Sequence, residues 1–135
     1  MYLSKTPRLL KALYPSLTWD FRDHKKKVYL TFDDGPIPEV TPYVLSVLEE
    51  FQIKATFFCI GDNVRKHPKV FQQVIDAGHS IGNHTFNHLN GWKTSNSKYS
   101  DNAILCESLF KSQLFRPPYG RIKRSQIKTL QSRFK

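Results

Sequence analysis

Apolar and polar positions change their spacing along this chain in a recurring way. Val28, Leu30 and Phe32 alternate with Tyr29 and Thr31, a period of two that predicts a strand over 28–32. Asp33-Asp34-Gly35-Pro36 stops it, because Asp, Gly and Pro favour turns over ladder positions. Thr41 then reads as a helix N-cap with Pro42 at the first helical position, and Val44, Leu48 and Phe51 recur at helical spacing with Leu45 beside them. Ala55 to Ile60 is apolar almost throughout, as buried parallel strands are, and Gly61 ends it. Pro68 opens a second helix through Val70, Phe71, Val74 and Ile75, closed by Gly78. Residues 79–83 predict a third strand, and 85–97 a long polar loop of the kind that often carries function. A third helix is expected over about 98–112, with Ala103, Cys106 and Phe110 on one stripe. Leu114-Phe115-Arg116 predicts a fourth strand broken by Pro117-Pro118, and a fourth helix is expected from about Arg124 to Phe134.

Strand followed by helix, four times over, predicts an α/β fold: a parallel sheet covered by helices, open or closed into a barrel. There is no internal repeat and no low-complexity tract. The last expected helix runs to the final residue, where a parallel sheet would leave an apolar edge uncovered. The expectation is therefore a fold incomplete at its C-terminal end.

The 135 residues fit one domain, and no apolar run approaches the length of a transmembrane helix. Lys11 and Pro15 interrupt the weakly apolar start, which has no signal-peptide core, so the compartment stays open between cytoplasm and envelope. The net charge of +10 is uneven: seven basic residues against two acids over 1–27, six against nine over 28–107, and eight against none over 108–135. Residues 1–27 thus read as a basic N-terminal arm. Basic ends suit weak contact with anionic polymers or a membrane surface, the latter through Leu9, Leu10, Leu13, Tyr14, Leu17 and Trp19; solvated faces and an arm covering the core explain them equally well. Cys59 and Cys106 do not make a disulfide framework and read as small buried hydrophobes.

Ligand sites in such folds form at the carboxyl ends of strands. Three polar clusters fall on that one edge: Asp33-Asp34 after strand one, His84 and His88 after strand three, Arg116 and Tyr119 after strand four. Histidines four apart can bind one ion, and a carboxylate completes a three-ligand site that leaves a position for water. Adjacent aspartates at a strand end point in different directions, so one can bind metal while the other acts as a base. Alone, each cluster is weak: Asp-Asp-Gly-Pro is usually a turn, Arg116 a surface cation and Tyr119 a core ring. His79 reads as structural, His67 as surface, and His24 matches no ligand position.

Thr31-Phe32-Asp33-Asp34-Gly35-Pro36, His84-Thr85-Phe86-Asn87-His88 and Arg116-Pro117-Pro118-Tyr119-Gly120 resemble, in order, three motifs of the polysaccharide deacetylases, the NodB-homology domain of carbohydrate esterase family four. Ala55-Thr56-Phe57-Phe58 and Gly78 to Asn83 extend the resemblance, which covers about 28–121. It implies a distorted (β/α) barrel with residues 28–135 as a partial catalytic domain. It implies Asp33 as catalytic base, Asp34, His84 and His88 as ligands of a divalent ion (zinc, with cobalt or nickel as alternatives), Arg116 orienting Asp33, and the Tyr119 N–H stabilising an oxyanion. The implied reaction removes acetyl from N-acetylglucosamine units of a glycan such as a chitin-like oligomer or peptidoglycan.

Two further family motifs, an Asp-Trp strand and a Leu-x-His, have no counterpart: no Trp follows Trp92 and no His follows His88. The expectation is a truncated form that binds metal and turns over slowly or not at all. Competing readings are a non-catalytic metal- and glycan-binding remnant, a non-haem iron oxygenase, against which the strand–helix alternation argues, and a nucleic-acid binder, for which no recognisable motif exists.

Overall fold

The computed structural model describes residues 6–21 and 27–134. Three parallel strands, β1 (Thr31–Asp33), β2 (Thr56–Cys59) and β3 (Ser80–Asn83), lie side by side in chain order. A short helix α1 (Arg8–Leu13) precedes them; α2 (Val40–Glu50) connects β1 to β2, and α3 (Gly61–Lys66) with α4 (Pro68–Asp76) connects β2 to β3. Beyond β3 come a tight turn at Gly91–Lys93, α5 (Asn96–Leu105), further turns at Cys106–Ser108 and Pro118–Gly120, and α6 (Arg124–Leu130). Among the described residues no helix is long and apolar enough to cross a membrane.

β2 is the central strand, and its apolar run serves both faces. Phe57 and Cys59 point into the larger core with Leu45, Leu48, Val64, Phe71, Val74, Cys106 and Phe110, while Phe58 is buried on the opposite face. Phe32 of β1 pairs in register with Phe57 and stacks on it at 5.1 Å, so Thr31 and Asp33 share the face of Phe58. On β3 the residue beside Phe58 is Gly82, where a Cβ would stand 2.4 Å from the Phe58 ring. Full burial of a side chain such as Val74 contributes about 1.5–3 kcal/mol.

Several boundaries differ from the sequence expectation. The first strand starts at Thr31, not Val28, and Val28 is 86% exposed, because β1 pairs only with β2 and nothing described covers its outer end. Thr41 does not cap α2 from outside. It lies within the first turn and its Oγ1 accepts the Ile37 N–H at 2.8 Å, so it closes the preceding turn instead. Helix α3 was unanticipated, since Gly61 read as a strand terminator. The fourth strand contracts to a single parallel bridge between Asn83 and Phe115, because Pro117 and Pro118 cannot donate ladder hydrogen bonds.

The third helix ends at Leu105, and its expected stripe divides between two cores. Cys106 and Phe110 join the larger one; Ala103 joins Tyr99, Leu130 and Phe134 in a smaller cluster between α5 and α6. Both cysteines are free and buried, and burial pushes both thiols up to about 12. His79 accepts the Ala55 N–H on Nδ1 at 3.2 Å, tying β3 to β2, and burial lowers its pKa. On the arm, Leu9, Leu10 and Leu13 are exposed, whereas the half-buried Trp19 donates to the Tyr14 carbonyl and Arg124 of α6 lies over the Tyr14 ring.

Candidate metal centre and its surroundings

The pleat of β1 sets up the first half of the site. Thr31 and Asp33 face the same way as Phe58, and Arg116 is delivered above all three by the bridge at Phe115. The Arg116 N–H donates to the Asn83 carbonyl at 2.9 Å, fixing the backbone. Its guanidinium lies 4.0 Å from the Phe58 ring centroid, and Nη1 donates to Thr31 Oγ1 at 2.8 Å and Asp33 Oδ1 at 2.7 Å. Both partners of this ion pair remain more than a third exposed, so it orients the carboxylate more than it stabilises the fold.

Asp34 leaves the strand with φ of 69°, which turns its carboxylate away from that of Asp33. Asn63 Nδ2 of α3 donates to the Asp34 carbonyl at 2.8 Å and holds this turn. Asp34 Oδ1 then lies 3.5 Å from His84 Nε2 and 3.0 Å from His88 Nε2. One donor atom from each residue falls within 4.8 Å of the others. Ligand atoms around a four-coordinate zinc at about 2.0–2.1 Å stand roughly 3.3 Å apart, so the cluster has the right size and the right N/O donors for a small divalent ion.

The protonation state fits as well. His84 Nδ1 is 2.7 Å from the Arg116 carbonyl oxygen, which only accepts; Nδ1 therefore carries the hydrogen and Nε2 keeps its lone pair for the cluster. Burial pushes the His84 pKa below its ordinary value, which favours the neutral ring that binds metal. Exposure rises from 3% at the His84 side chain through 25% at His88 to 57% at Asp34, so the cluster opens to solvent on the aspartate side.

The turn bearing the histidines is strained and heavily tied. Thr85 and His88 both have positive φ, 62° and 53°, unusual for side chains of this kind. Asn83, 1% exposed, accepts the Thr85 N–H at 2.8 Å and donates to the Ala103 carbonyl at 2.7 Å. Asn102 Oδ1 accepts from the N–H groups of Phe86 and Asn87, and its Nδ2 donates to Asn87 Oδ1. The N–H groups of Gly61 and Asp62, at the start of α3, donate to the Thr85 and Phe86 carbonyls. Gly61 is required there, since a Cβ would lie 2.6 Å from the Phe86 ring. Tyr119, also at positive φ (60°), lays its ring 4.6 Å from that of His88 and is 62% exposed.

All six site residues expected from the sequence therefore meet at the carboxyl ends of the strands. His67 and His79 lie outside the cluster, and His24 lies outside the described residues. The sequence reading missed Thr31, Asn63, Asn83 and Asn102. Asn63 follows the end of β2 and Asn83 ends β3, so the strand-end rule applied to polar amides would have flagged both. Nothing local in the sequence marks Asn102.

The chain matches the polysaccharide deacetylase family over residues 21–133. A peptidoglycan-N-acetylglucosamine deacetylase of Bacillus cereus is 40% identical over 128 residues, 90% of this chain and 60% of that protein. A chitooligosaccharide deacetylase of Azorhizobium caulinodans is 48% identical over 67 residues, half of this chain and 32% of that protein. The crystal structure of a peptidoglycan N-acetylglucosamine deacetylase in complex with 4-naphthalen-1-yl-N-oxidanyl-benzamide superposes with a TM-score of 0.79 at 37% identity, covering 82% of this chain and 55% of that one. A CE4 family pseudoenzyme of Bacillus anthracis superposes with a TM-score of 0.74 at 27% identity, covering 81% and 41%. This chain thus spans less than two thirds of the length of each of these relatives. With the three motifs gathered at one sheet edge and the match running through nearly all of the described fold, the chain belongs to the polysaccharide deacetylase family.

Proposed function

We propose that these residues form the metal- and base-bearing part of a hydrolase that removes N-acetyl groups from N-acetylglucosamine units of a polysaccharide. The observation that carries the reading is the Asp34–His84–His88 cluster set beside the Asp33–Arg116 pair. Asp34, His84 and His88 would hold the ion, with zinc favoured by the mixed N/O donors and cobalt or nickel accepted by the same set. Such an ion supplies Lewis acidity toward a carbonyl oxygen and lowers the pKa of a bound water.

The remaining chemistry falls to the chain itself. Asp33 accepts a proton from the attacking water, with Arg116 and Thr31 holding the carboxylate in one orientation. The Tyr119 backbone N–H donates to the oxygen on which negative charge develops, and its left-handed φ sets the direction of that N–H. The relatives' names point to peptidoglycan or chitooligosaccharide as the glycan.

A second reading, metal and glycan binding without turnover, is favoured by one observation: one of the structures that superpose on this fold is a CE4 family pseudoenzyme. Acetate release from N-acetylchitohexaose and from peptidoglycan, measured after loading with Zn²⁺ or Co²⁺, separates the two. Turnover that falls about a hundredfold or more in Asp33→Asn, with metal binding retained, supports hydrolysis. Glycan binding with no acetate released supports the second reading. Failure to bind a divalent ion sinks both.

A further inference from the structure

An exposed tryptophan stands four residues beyond the second metal-binding histidine, and the fold goes to some length to hold it still. Trp92 is 61% exposed. A single exposed apolar side chain is ordinary, so exposure alone carries nothing. The mounting is what calls for an explanation. The Trp92 N–H is accepted by Asn90 Oδ1 at 3.0 Å, and indole Nε1 donates to the Ile122 carbonyl at 3.3 Å. The Arg121 guanidinium lies 5.3 Å from the indole ring centroid, backing it. Gly91 fits into a slot with no room for a side chain: a Cβ would stand 2.4 Å from the Arg121 carbonyl oxygen and 2.7 Å from Gln126 Oε1. Gln126 is fully buried and spends its amide on this turn, donating to the Gly91 and Thr94 carbonyls while accepting the Lys123 N–H. A buried polar network is thus committed to presenting one indole to solvent.

Its position ties it to the metal centre from two directions. Along the chain it follows His88 by four residues, at most about 14 Å of extended backbone. Across the fold it lies against Arg121 and Ile122, which follow Tyr119, and the Tyr119 ring is 4.6 Å from His88. Tyr119 beside His88 and Trp92 beside Arg121 and Ile122 are both exposed aromatic rings.

We infer that Trp92, backed by Arg121, is a platform on which a sugar ring of the bound glycan stacks, beyond the unit that enters the metal centre. The face of a β-linked pyranose presents C–H groups of slight positive charge, which match the negative face of an indole ring. A platform pinned before binding loses little conformational freedom when the sugar arrives. The inference rests on the proposed glycan substrate, and it predicts a dependence on chain length, since a single sugar at the metal centre cannot also reach Trp92.

The test uses a Trp19→Phe background, in which Trp92 is the sole tryptophan, and titrates N-acetylglucosamine, the N-acetylated trimer and the hexamer while following indole fluorescence. The hexamer should change the emission and the monomer should not. By calorimetry, Trp92→Ala should weaken hexamer binding about tenfold, and Trp92→Tyr should restore most of it. Co²⁺ titration of each variant, read from its visible absorption, should be unchanged. Equal hexamer affinity in the parent and Trp92→Ala would overturn the platform and leave the metal-centre reading intact. Absence of hexamer binding in the parent would also overturn it, and the Co²⁺ titration then reports separately whether the metal-centre reading survives.

Discussion

Two regions converge on the candidate metal centre, and they are built by different means. The sheet-end cluster of Thr31, Asp33, Phe58 and Arg116 takes its geometry from strand register: the pleat puts three side chains on one face and Arg116 reaches over them. The 83–88 turn owes little to regular structure. Two left-handed residues are held there by the buried amide of Asn83, by Asn102 and by the first N–H groups of α3. The first region needs only a sheet to exist. The second needs every one of its buried polar groups satisfied, so losing one partner is costly.

The contrast breaks most sharply at the ligands. His84→Ala should abolish stoichiometric Co²⁺ or Zn²⁺ binding, an effect of at least about a hundredfold by calorimetry, because two donors no longer make a site. Retained tight binding would exclude the Asp34–His84–His88 centre.

Next in size is Asn83→Ala. It strands the Thr85 N–H and removes one of two donors to the Ala103 carbonyl, which keeps the Cys106 N–H, and should cost about 1–3 kcal/mol in urea unfolding while weakening metal binding. Asn102→Ala should weaken metal binding with a smaller loss of stability, since the Phe86 N–H keeps the Asn102 backbone carbonyl and water can reach the freed Asn87 N–H. If both variants bound metal like the parent, the turn would not depend on these amides.

The sheet-end cluster should respond the other way. Arg116→Lys removes the donation shared by Thr31 and Asp33, yet this exposed pair should contribute at most about 1 kcal/mol, so unfolding should shift little while any deacetylation falls steeply. A large stability loss would make Arg116 a structural residue.

The smallest effect tests the core beneath both regions. The Cys59 and Cys106 thiols are raised from 9.0 to about 12 by burial. A group whose folded pKa is raised gives stability that is complete below the unfolded value and is lost as pH rises toward the folded one. Stability should therefore hold to about pH 9 and decline from there toward pH 12, and both thiols should resist iodoacetamide at neutral pH. Rapid alkylation of the native protein would contradict their burial.

Much of this was legible in the chain. The apolar run of β2, the helix opened by Pro68 and the shift from period two to helical spacing are local, and the strand-end rule placed Asp33, Asp34, His84, His88, Arg116 and Tyr119 on one edge before any geometry was known. The mistakes have local causes too. Thr41 carries the chemistry of a cap, and only the path through Gly35 to Pro38 decides that it serves Ile37 instead. Val28 and Leu30 alternate like strand residues, yet pairing with the neighbour begins only where the Leu30 carbonyl accepts the Thr56 N–H, and Val28 stays exposed.

The sequence by itself determined the family, the strand–helix order and which six polar residues fall at the strand ends, because motif chemistry and hydrophobic period are properties of neighbouring positions. Tertiary structure alone decided that Asp34 rather than Asp33 faces the histidines, that the Arg116 carbonyl fixes the His84 tautomer, and that Asn102 and Gln126 tie the 83–88 and Gly91 turns from distant helices. Such contacts join residues far apart in the chain, Thr31 and Arg116 by 85 positions, and no local pattern encodes a distance that only packing sets.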